Sequence, residues 1–190
     1  MSGTIHNLID RLNAITADVR TSFGGFDEEQ LNWKPSSESW SVAQCLDHLI
    51  TSNATYFPTL EGVASGTFKP GAWTRVPFAA DLFGRMIKKA VHPDNVKKYK
   101  TMPVFEPARS EIPASVVEDF AGQQEKLKVI FEKLDDQELL SKKISSPASG
   151  LITLRVADAL EILALHERRH FNQAVRVTEL SDFPAQTGES

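Results

Sequence analysis

The sequence predicts an all-α protein whose core is a four-helix bundle. Three observations support this prediction. Apolar residues recur at steps of three and four along four long segments, no segment shows the alternation typical of strands, and no internal repeat is visible. A helix with one apolar face must bury that face against a neighbour, so a bundle is the simplest arrangement. We expect one domain over residues 1–190.

The first core helix is predicted over residues 4–22, and it stops at Gly24, where a left-handed or flexible backbone costs little. The second core helix begins at Ser41. Ser41 and Gln44 match the S-x-x-Q capping box, which satisfies the free amides at a helix start. Pro58 is expected to kink or end this helix.

The chain from about residue 62 to Pro113 holds six of the ten prolines, so it cannot be one regular element. Within it, apolar spacing predicts a short amphipathic helix over residues 78–91. This helix ends at His92, because the residue before Pro93 avoids helical dihedral angles. We interpret the segment as a Pro-rich insertion between the second and third core helices.

The third core helix is predicted over residues 116–134, with its end marked by Asp135 and Asp136. A polar turn region is expected over residues 135–153. The fourth core helix follows over residues 154–178. The four core helices and the insertion thus account for most of the chain.

Composition excludes several classes of protein. Hydrophobic residues make up 41% and charged residues 24%, which is typical of a folded globular protein. The net charge of −4 gives no general attraction for nucleic acid or anionic lipid. Cys45 is the single cysteine, so no intrachain disulfide forms. With neither a secretory signal nor an apolar run of about 20 residues, we expect a cytoplasmic protein without a membrane partner.

A histidine pair on the fourth helix is the main chemical signal. His166 and His170 are four residues apart, hence about 40° apart around the helix axis, and both fall within the apolar stripe. Buried imidazole nitrogens without partners are costly. A pair at this spacing can present two nitrogens to one divalent ion, which favours metal binding over ordinary hydrogen bonding.

A third ligand is expected from another helix, and His6, His48 and His92 are the candidates. His6 lies beside the apolar stripe of the first helix. His92 stands at a helix end, where it would complement the helix C-terminus. His48 lies in the middle of the second helix at the flank of its apolar face, so we choose His48.

Residues 166–170 also match H-E-x-x-H, the zinc metalloprotease motif in which the glutamate is the general base. The metzincin continuation is missing, because Gln173 and Arg176 stand where glycine and histidine are required. Glu167 is therefore only a weak candidate for a catalytic residue. We expect it to approach a metal-bound water or, more simply, to pair with arginines at the surface.

Other chemistry-bearing residues have simpler interpretations. A basic cluster in the insertion could bind nucleic acid, but solvation of an exposed face explains it better, and capture of an anionic substrate comes second. This cluster consists of Arg85, Lys88, Lys89, Lys97, Lys98 and Lys100. Cys45 is interpreted as a small buried hydrophobe. Trp33, Trp40 and Trp73 are interpreted as packing residues, although Trp73 could line a pocket.

Four segments together resemble one family. They read LNWKP at residues 31–35, WSVAQCLDHL at 40–49, KTMPVFEP at 100–107 and HERRHFNQ at 166–173. Their order and spacing resemble the DinB-like superfamily, also described as YfiT-like metal-dependent hydrolases. The resemblance implies a four-helix bundle with a divalent metal, zinc or nickel, bound by His48, His166 and His170.

Members of that superfamily include thiol S-transferases that use bacillithiol, mycothiol or glutathione, and a thiol-dependent maleylpyruvate isomerase. The resemblance therefore implies a metal-dependent enzyme that transfers a low-molecular-weight thiol or hydrolyses a small-molecule substrate. Homodimers are common among its members. The alternative is a non-catalytic, metal-stabilised helical bundle with a binding or stress-response role, because fold does not fix chemistry.

Overall fold

The computed structural model describes residues 1–95, 97, 99, 101–107 and 111–185. These residues are mostly helical. The α-helices are α1 (Gly3–Phe23), α2 (Glu28–Asn32), α3 (Val42–Ala64), α4 (Ala79–Val91), α5 (Val116–Lys133), α6 (Gln137–Ser141) and α7 (Val156–Thr178). Two short 3₁₀ turns lie at Ala72–Arg75 and Pro103–Phe105, and two strands, β1 (Lys143–Ser146) and β2 (Ser149–Arg155), precede α7.

The four long helices bury their apolar stripes against one another. α1 and α3 each pack against both α5 and α7. Leu12, Leu46, Leu127 and Leu163, one from each long helix, are all essentially buried. Burying such a side chain stabilises the fold by about 1.5–3 kcal/mol relative to leaving it exposed. The periodicity in the sequence thus correctly identified the helices that form the core.

Helix α3 carries the predicted capping box. The backbone N–H of Gln44 donates to Ser41 Oγ at 3.1 Å, and the backbone N–H of Ser41 donates to Gln44 Oε1 at 3.3 Å. Pro58 lies inside α3, which continues to Ala64, so the expectation that it could end the helix is wrong. The loss of one N–H is tolerated because Leu60 beyond it is fully buried in the core.

The expectation of an all-α protein is confirmed in part, because the described residues are mostly helical, but the polar turn region expected over residues 135–153 contains a helix and two strands. Strands β1 and β2 form an antiparallel hairpin in which Ile144 is paired with Leu154, and both side chains are fully buried. The hairpin is short, so its alternation is carried by too few residues to be distinguished from a loop. The two short helices, α2 and α6, were also not predicted, and each begins at an aspartate cap.

Helix α4 lies within the Pro-rich segment and packs against α7 and β2. Arg155 forms an ion pair with Asp81 at 2.7 Å, and Lys88 forms one with Asp158 at 2.8 Å. Gly84 on α4 faces Asp158 on α7 so closely that a Cβ atom at this position would meet the Asp158 side chain. The chain leaves α4 at His92 and then runs to the 3₁₀ turn at Pro103–Phe105, which contacts α3.

None of the described helices is long and apolar enough to cross a bilayer.

Candidate metal centre

Three imidazoles meet where α3 packs against α7. His48 projects from α3, and His166 and His170 project from consecutive turns of α7. The Nε2 atoms of His48 and His166 are 3.1 Å apart. The ring centroid of His170 lies 4.5 Å from the centroids of both other rings. Each residue offers one nitrogen, and the three nitrogens lie within 4.8 Å of one another. The structure thus brings together the three histidines selected from the sequence.

The backbone orients His48. Its Nδ1 lies 2.5 Å from the carbonyl oxygen of Phe105, in the 3₁₀ turn, and 3.5 Å from Ser52 Oγ. A carbonyl oxygen only accepts hydrogen bonds, so Nδ1 carries the proton and donates it. The lone pair of His48 is therefore on Nε2, the nitrogen that faces His166. This backbone contact could not be found from the sequence, because no side-chain pattern specifies a carbonyl acceptor.

The environment keeps the three imidazoles neutral. Burial lowers the pKa of His48, although its bond to Phe105 opposes this shift. Burial, with smaller contributions from His48 and Arg169, lowers the pKa of His166 to about 3. Burial and the neighbouring histidines hold the pKa of His170 well below its ordinary value. Neutral imidazoles have free lone pairs, which is the state that binds a metal ion.

Trp40 forms one wall of the centre. Its ring is stacked on His170 with a centroid distance of 5.7 Å and an interplanar angle of 26°, and its centroid is 4.8 Å from that of His48. The interpretation of Trp40 as a packing residue is therefore incomplete, because it packs directly on two of the histidines. Its ring therefore covers one side of both imidazoles.

The donor set fits a divalent ion. Ligand nitrogens about 2.0–2.1 Å from a tetrahedral ion are about 3.3 Å apart, close to the spacing of His48 and His166. Among the described atoms, Nδ1 of His170 is buried without a hydrogen-bond partner. A buried polar atom of this kind is costly, and an ion or a polar ligand would offset the cost. Three neutral imidazoles leave a coordination position for water or substrate, as in catalytic zinc sites.

Glu167 does not lie at the surface, so the expectation of a surface ion pair is wrong. Its side chain is fully buried, and its Oε1 accepts hydrogen bonds from Asn53 at 2.8 Å and from Gln124 at 2.9 Å. Burial raises its pKa to about 7. The sequence was misleading here because side chains from two other helices, Asn53 on α3 and Gln124 on α5, supply partners for a buried carboxyl.

The two rejected histidines lie outside the centre. His6 is exposed on α1, with its Nε2 3.4 Å from Asp10. His92 is half-exposed at the end of α4, where its Nδ1 lies 3.5 Å from the Asp94 carboxylate.

Cys45 is fully buried among apolar residues, as expected, and burial raises its pKa to about 12.

The basic cluster of the insertion is partly neutralised by ion pairs. Lys88 contacts both Asp158 and Glu161 at 2.8 Å, so it is not a free cation on an open face. Lys98 and Lys100 lie outside the described residues. Trp33 packs on Phe183, whereas the side chain of Trp73 is about half exposed.

Comparison with known proteins gives one match. A family model described as DinB superfamily matches residues 11–174, which is most of the chain and includes all three histidines of the centre. Neither a curated protein nor a solved structure matches significantly.

Proposed function

The chain belongs to the DinB superfamily, and on that premise we propose that it is a metal-dependent enzyme whose His48, His166 and His170 hold one divalent ion. Zinc and nickel are the preferred ions. The proposed reaction is transfer of a low-molecular-weight thiol to a small-molecule electrophile, or hydrolysis of a small-molecule substrate. One observation carries the proposal: the imidazoles of His48, His166 and His170, from two helices, converge in a largely buried site.

A divalent ion held by His48, His166 and His170 would supply Lewis-acid chemistry and would lower the pKa of a thiol or a water bound to it. The protein's part is to keep the three imidazoles neutral and oriented. His48 is oriented by its bond to the carbonyl of Phe105. Trp40 packs on His48 and His170 and covers one side of both rings.

Glu167 enters the proposal only as a candidate for proton transfer. A carboxyl group whose pKa is about 7 can exchange a proton near neutral pH. Its contacts with Asn53 on α3 and Gln124 on α5 favour another role, which is to hold these two helices against α7. That role would fix the distance between His48 and the pair on α7.

The proposal extends to the architecture of the chain. We propose that α1, α3, α5 and α7 form the four-helix bundle of a single domain over residues 1–190, to which the Pro-rich insertion with α4 is added. We also propose a cytoplasmic location, a small-molecule substrate rather than nucleic acid or membrane, and a homodimer as the assembly to test.

The test begins with protein purified without an affinity-tag metal and stripped with a chelator. Titration with zinc, nickel, cobalt, manganese or iron should give one ion per chain, and His48→Ala should abolish tight binding. The loaded protein is then assayed with low-molecular-weight thiols plus an electrophile, and with esters and amides. Absence of binding by every ion would end the proposal.

A second candidate function is a non-catalytic bundle in which the ion only joins α3 to α7. The placement of the ligands supports this alternative, because an ion bound by His48 on α3 and by the two histidines on α7 would join these helices. Under this alternative, zinc stabilises the fold but the loaded wild-type protein turns over none of the substrates. Turnover that depends on the ion and on His48 would exclude it.

A further inference from the structure

Arg169 stands between two of the proposed ligands and binds the backbone of the segment that leaves α4. Its Nη1 donates to the carbonyl oxygens of His92, at 3.3 Å, and of Asn95. Its Nη2 donates to the carbonyl oxygen of Lys97 at 2.6 Å. One guanidinium group therefore binds three carbonyls, those of His92, Asn95 and Lys97, to α7.

The charge of Arg169 is placed where it opposes metal binding. Among the described residues, no carboxylate lies within ion-pair distance of its guanidinium, whereas its neighbour Arg168 forms an ion pair with Asp18 at 2.7 Å. The positive charge of Arg169 contributes to the lowered pKa of both His166 and His170. The same charge must repel a divalent ion at those rings. The position of Arg169 is explained if its hydrogen bonds to the backbone favour the metal centre by more than its charge disfavours binding of the ion.

The anchored segment leads to the contact that orients His48. Asn95 strengthens the anchor, because its side-chain amide donates to the carbonyls of Lys89 and Ala90 at the end of α4 and to Tyr99 Oη. Phe105, eight positions after Lys97, accepts the Nδ1 proton of His48 on its carbonyl oxygen. The described residues His92, Asn95 and Lys97 are thus tied to α7, and Phe105 is tied to a ligand on α3.

We propose that Arg169 is a positioning residue for the metal centre. It holds the segment after α4 in place, so that the Phe105 carbonyl keeps the proton of His48 on Nδ1 and leaves Nε2 for the ion. The presence of a metal ion in this proposal rests on the proposed function. The positioning role itself rests on the hydrogen bonds described above. Partners that orient metal-bound histidines commonly contribute 10- to 100-fold to metal affinity.

Two explanations of the role of Arg169 predict opposite changes in metal-ion affinity when it is replaced by methionine. If it acts only through its charge, Arg169→Met removes a repulsion and tightens ion binding, and Arg169→Lys changes nothing. If it acts by positioning, both variants weaken binding, because methionine cannot donate and lysine lacks the planar fork that reaches several carbonyls. Arg168→Met is the matched control, since it removes a neighbouring arginine on α7 that contacts Asp18 instead of the segment.

The first experiment measures the zinc affinity of the full chain by competition with a chromophoric chelator. We expect Arg169→Met to weaken binding by about tenfold or more and Arg169→Lys to weaken it in the same direction. The zinc affinity of Arg168→Met should stay within about twofold of wild type, because this variant removes only a partly exposed ion pair with Asp18. Unchanged or tighter binding in both Arg169 variants overturns the proposal. Circular dichroism of each variant establishes that it is folded, and Arg169→Lys provides the test if Arg169→Met does not fold.

The second experiment does not depend on metal. Long-range ¹⁵N–¹H spectra of the histidine rings report which nitrogen is protonated in the metal-free protein. Wild type should show His48 as the Nδ1–H tautomer, and Arg169→Met and Arg169→Lys should show a mixture of tautomers. An unchanged His48 tautomer in the folded variants overturns the inference. If wild type binds no ion, the proposed function fails, while this spectrum still decides the role of Arg169.

Discussion

The Nε2 atoms of His48 and His166 lie 3.1 Å apart, although 118 positions separate these residues in the chain. Such proximity requires that α3 and α7 pack in one register, since a shift of one residue along either helix moves a side chain by about 1.5 Å and turns it by about 100°. The hydrogen bond of Asn53 on α3 to Glu167 on α7 joins the same two helices and helps to fix that register, and Gln124 on α5 donates to the same carboxylate oxygen.

We expect zinc to raise the melting temperature of the wild-type protein but not that of His48→Ala or His170→Ala. A ligand at 100 times its Kd stabilises the folded state by about 2.7 kcal/mol, and this gain needs the complete donor set. Thermal unfolding with zinc and with a chelator measures it. His92→Ala is the control, because His92 lies outside the centre, and it should retain the full shift. An equal shift in His48→Ala would contradict the assignment of the ligands.

Glu167→Gln should change how stability depends on pH. The folded state raises the pKa of Glu167 from 4.5 to about 7, so the folded protein holds this proton more tightly than the unfolded chain. The resulting stabilisation is present below about pH 4.5 and is lost as the pH rises through 7. From pH 5 to pH 8, wild type should therefore lose about 2–3 kcal/mol relative to Glu167→Gln.

Urea unfolding at both pH values measures this change for Glu167. Glu118→Gln is the control, since the exposed Glu118 pairs with Arg20, which lowers its pKa, so its titration lies below this range. A difference between wild type and Glu167→Gln that is the same at pH 5 and pH 8 would show that the carboxyl group is not held as described.

Two glycine-to-alanine variants should have opposite effects on stability. A Cβ atom at Gly84 would lie 2.6 Å from Asp158 Oδ2 and 2.8 Å from its Cγ, so Gly84→Ala must displace α4 or move the Asp158 side chain away from its partner Lys88. We expect a loss of about 1–3 kcal/mol. At Gly122 on α5 a Cβ meets nothing within 4 Å, so Gly122→Ala should stabilise by about 0.5–1 kcal/mol. Urea unfolding compares them, and a stabilising Gly84→Ala would refute the close contact.

Cys45 should not react with thiol reagents while the protein is folded. Its side chain is fully buried, and burial raises its pKa from 9.0 to about 12, so almost no thiolate forms at pH 8. The neutral thiol stabilises the folded state below about pH 9, and this contribution is lost as the pH rises towards 12. Labelling with a chromogenic disulfide reagent should be slow in buffer and fast in denaturant. Rapid labelling of the native chain at pH 8 would contradict this placement.

The sequence was sufficient to predict the long helices and the placement of His166 and His170 on one helix face, because both depend on helical periodicity. The stripe that predicted the helix over residues 154–178 also placed His166 and His170 on one face, and α7 spans nearly the same residues. The choice of His48 required an additional argument, namely that a flank position in the middle of a helix faces a neighbouring helix. The structure places His48 beside both other rings.

The features that could not be predicted depend on contacts between distant segments. Glu167 was expected at the surface, yet Gln124 from α5 makes burial of its carboxyl group possible. The β1–β2 hairpin depends on the pairing of Ile144 with Leu154, for which the local pattern is too short. Pro58 was overestimated as a helix breaker, since burial of Leu60 favours continuation of α3.

The acceptor that orients His48 belongs to the main chain of Phe105. Every amino acid carries the same carbonyl group, so replacement of the phenyl ring leaves that acceptor chemically intact. Tolerance to substitution at position 105 should thus be high, provided that the backbone keeps its path. Mutational scanning of side chains would overlook this contact, and only changes that displace the peptide unit itself, such as deletions nearby, would expose it.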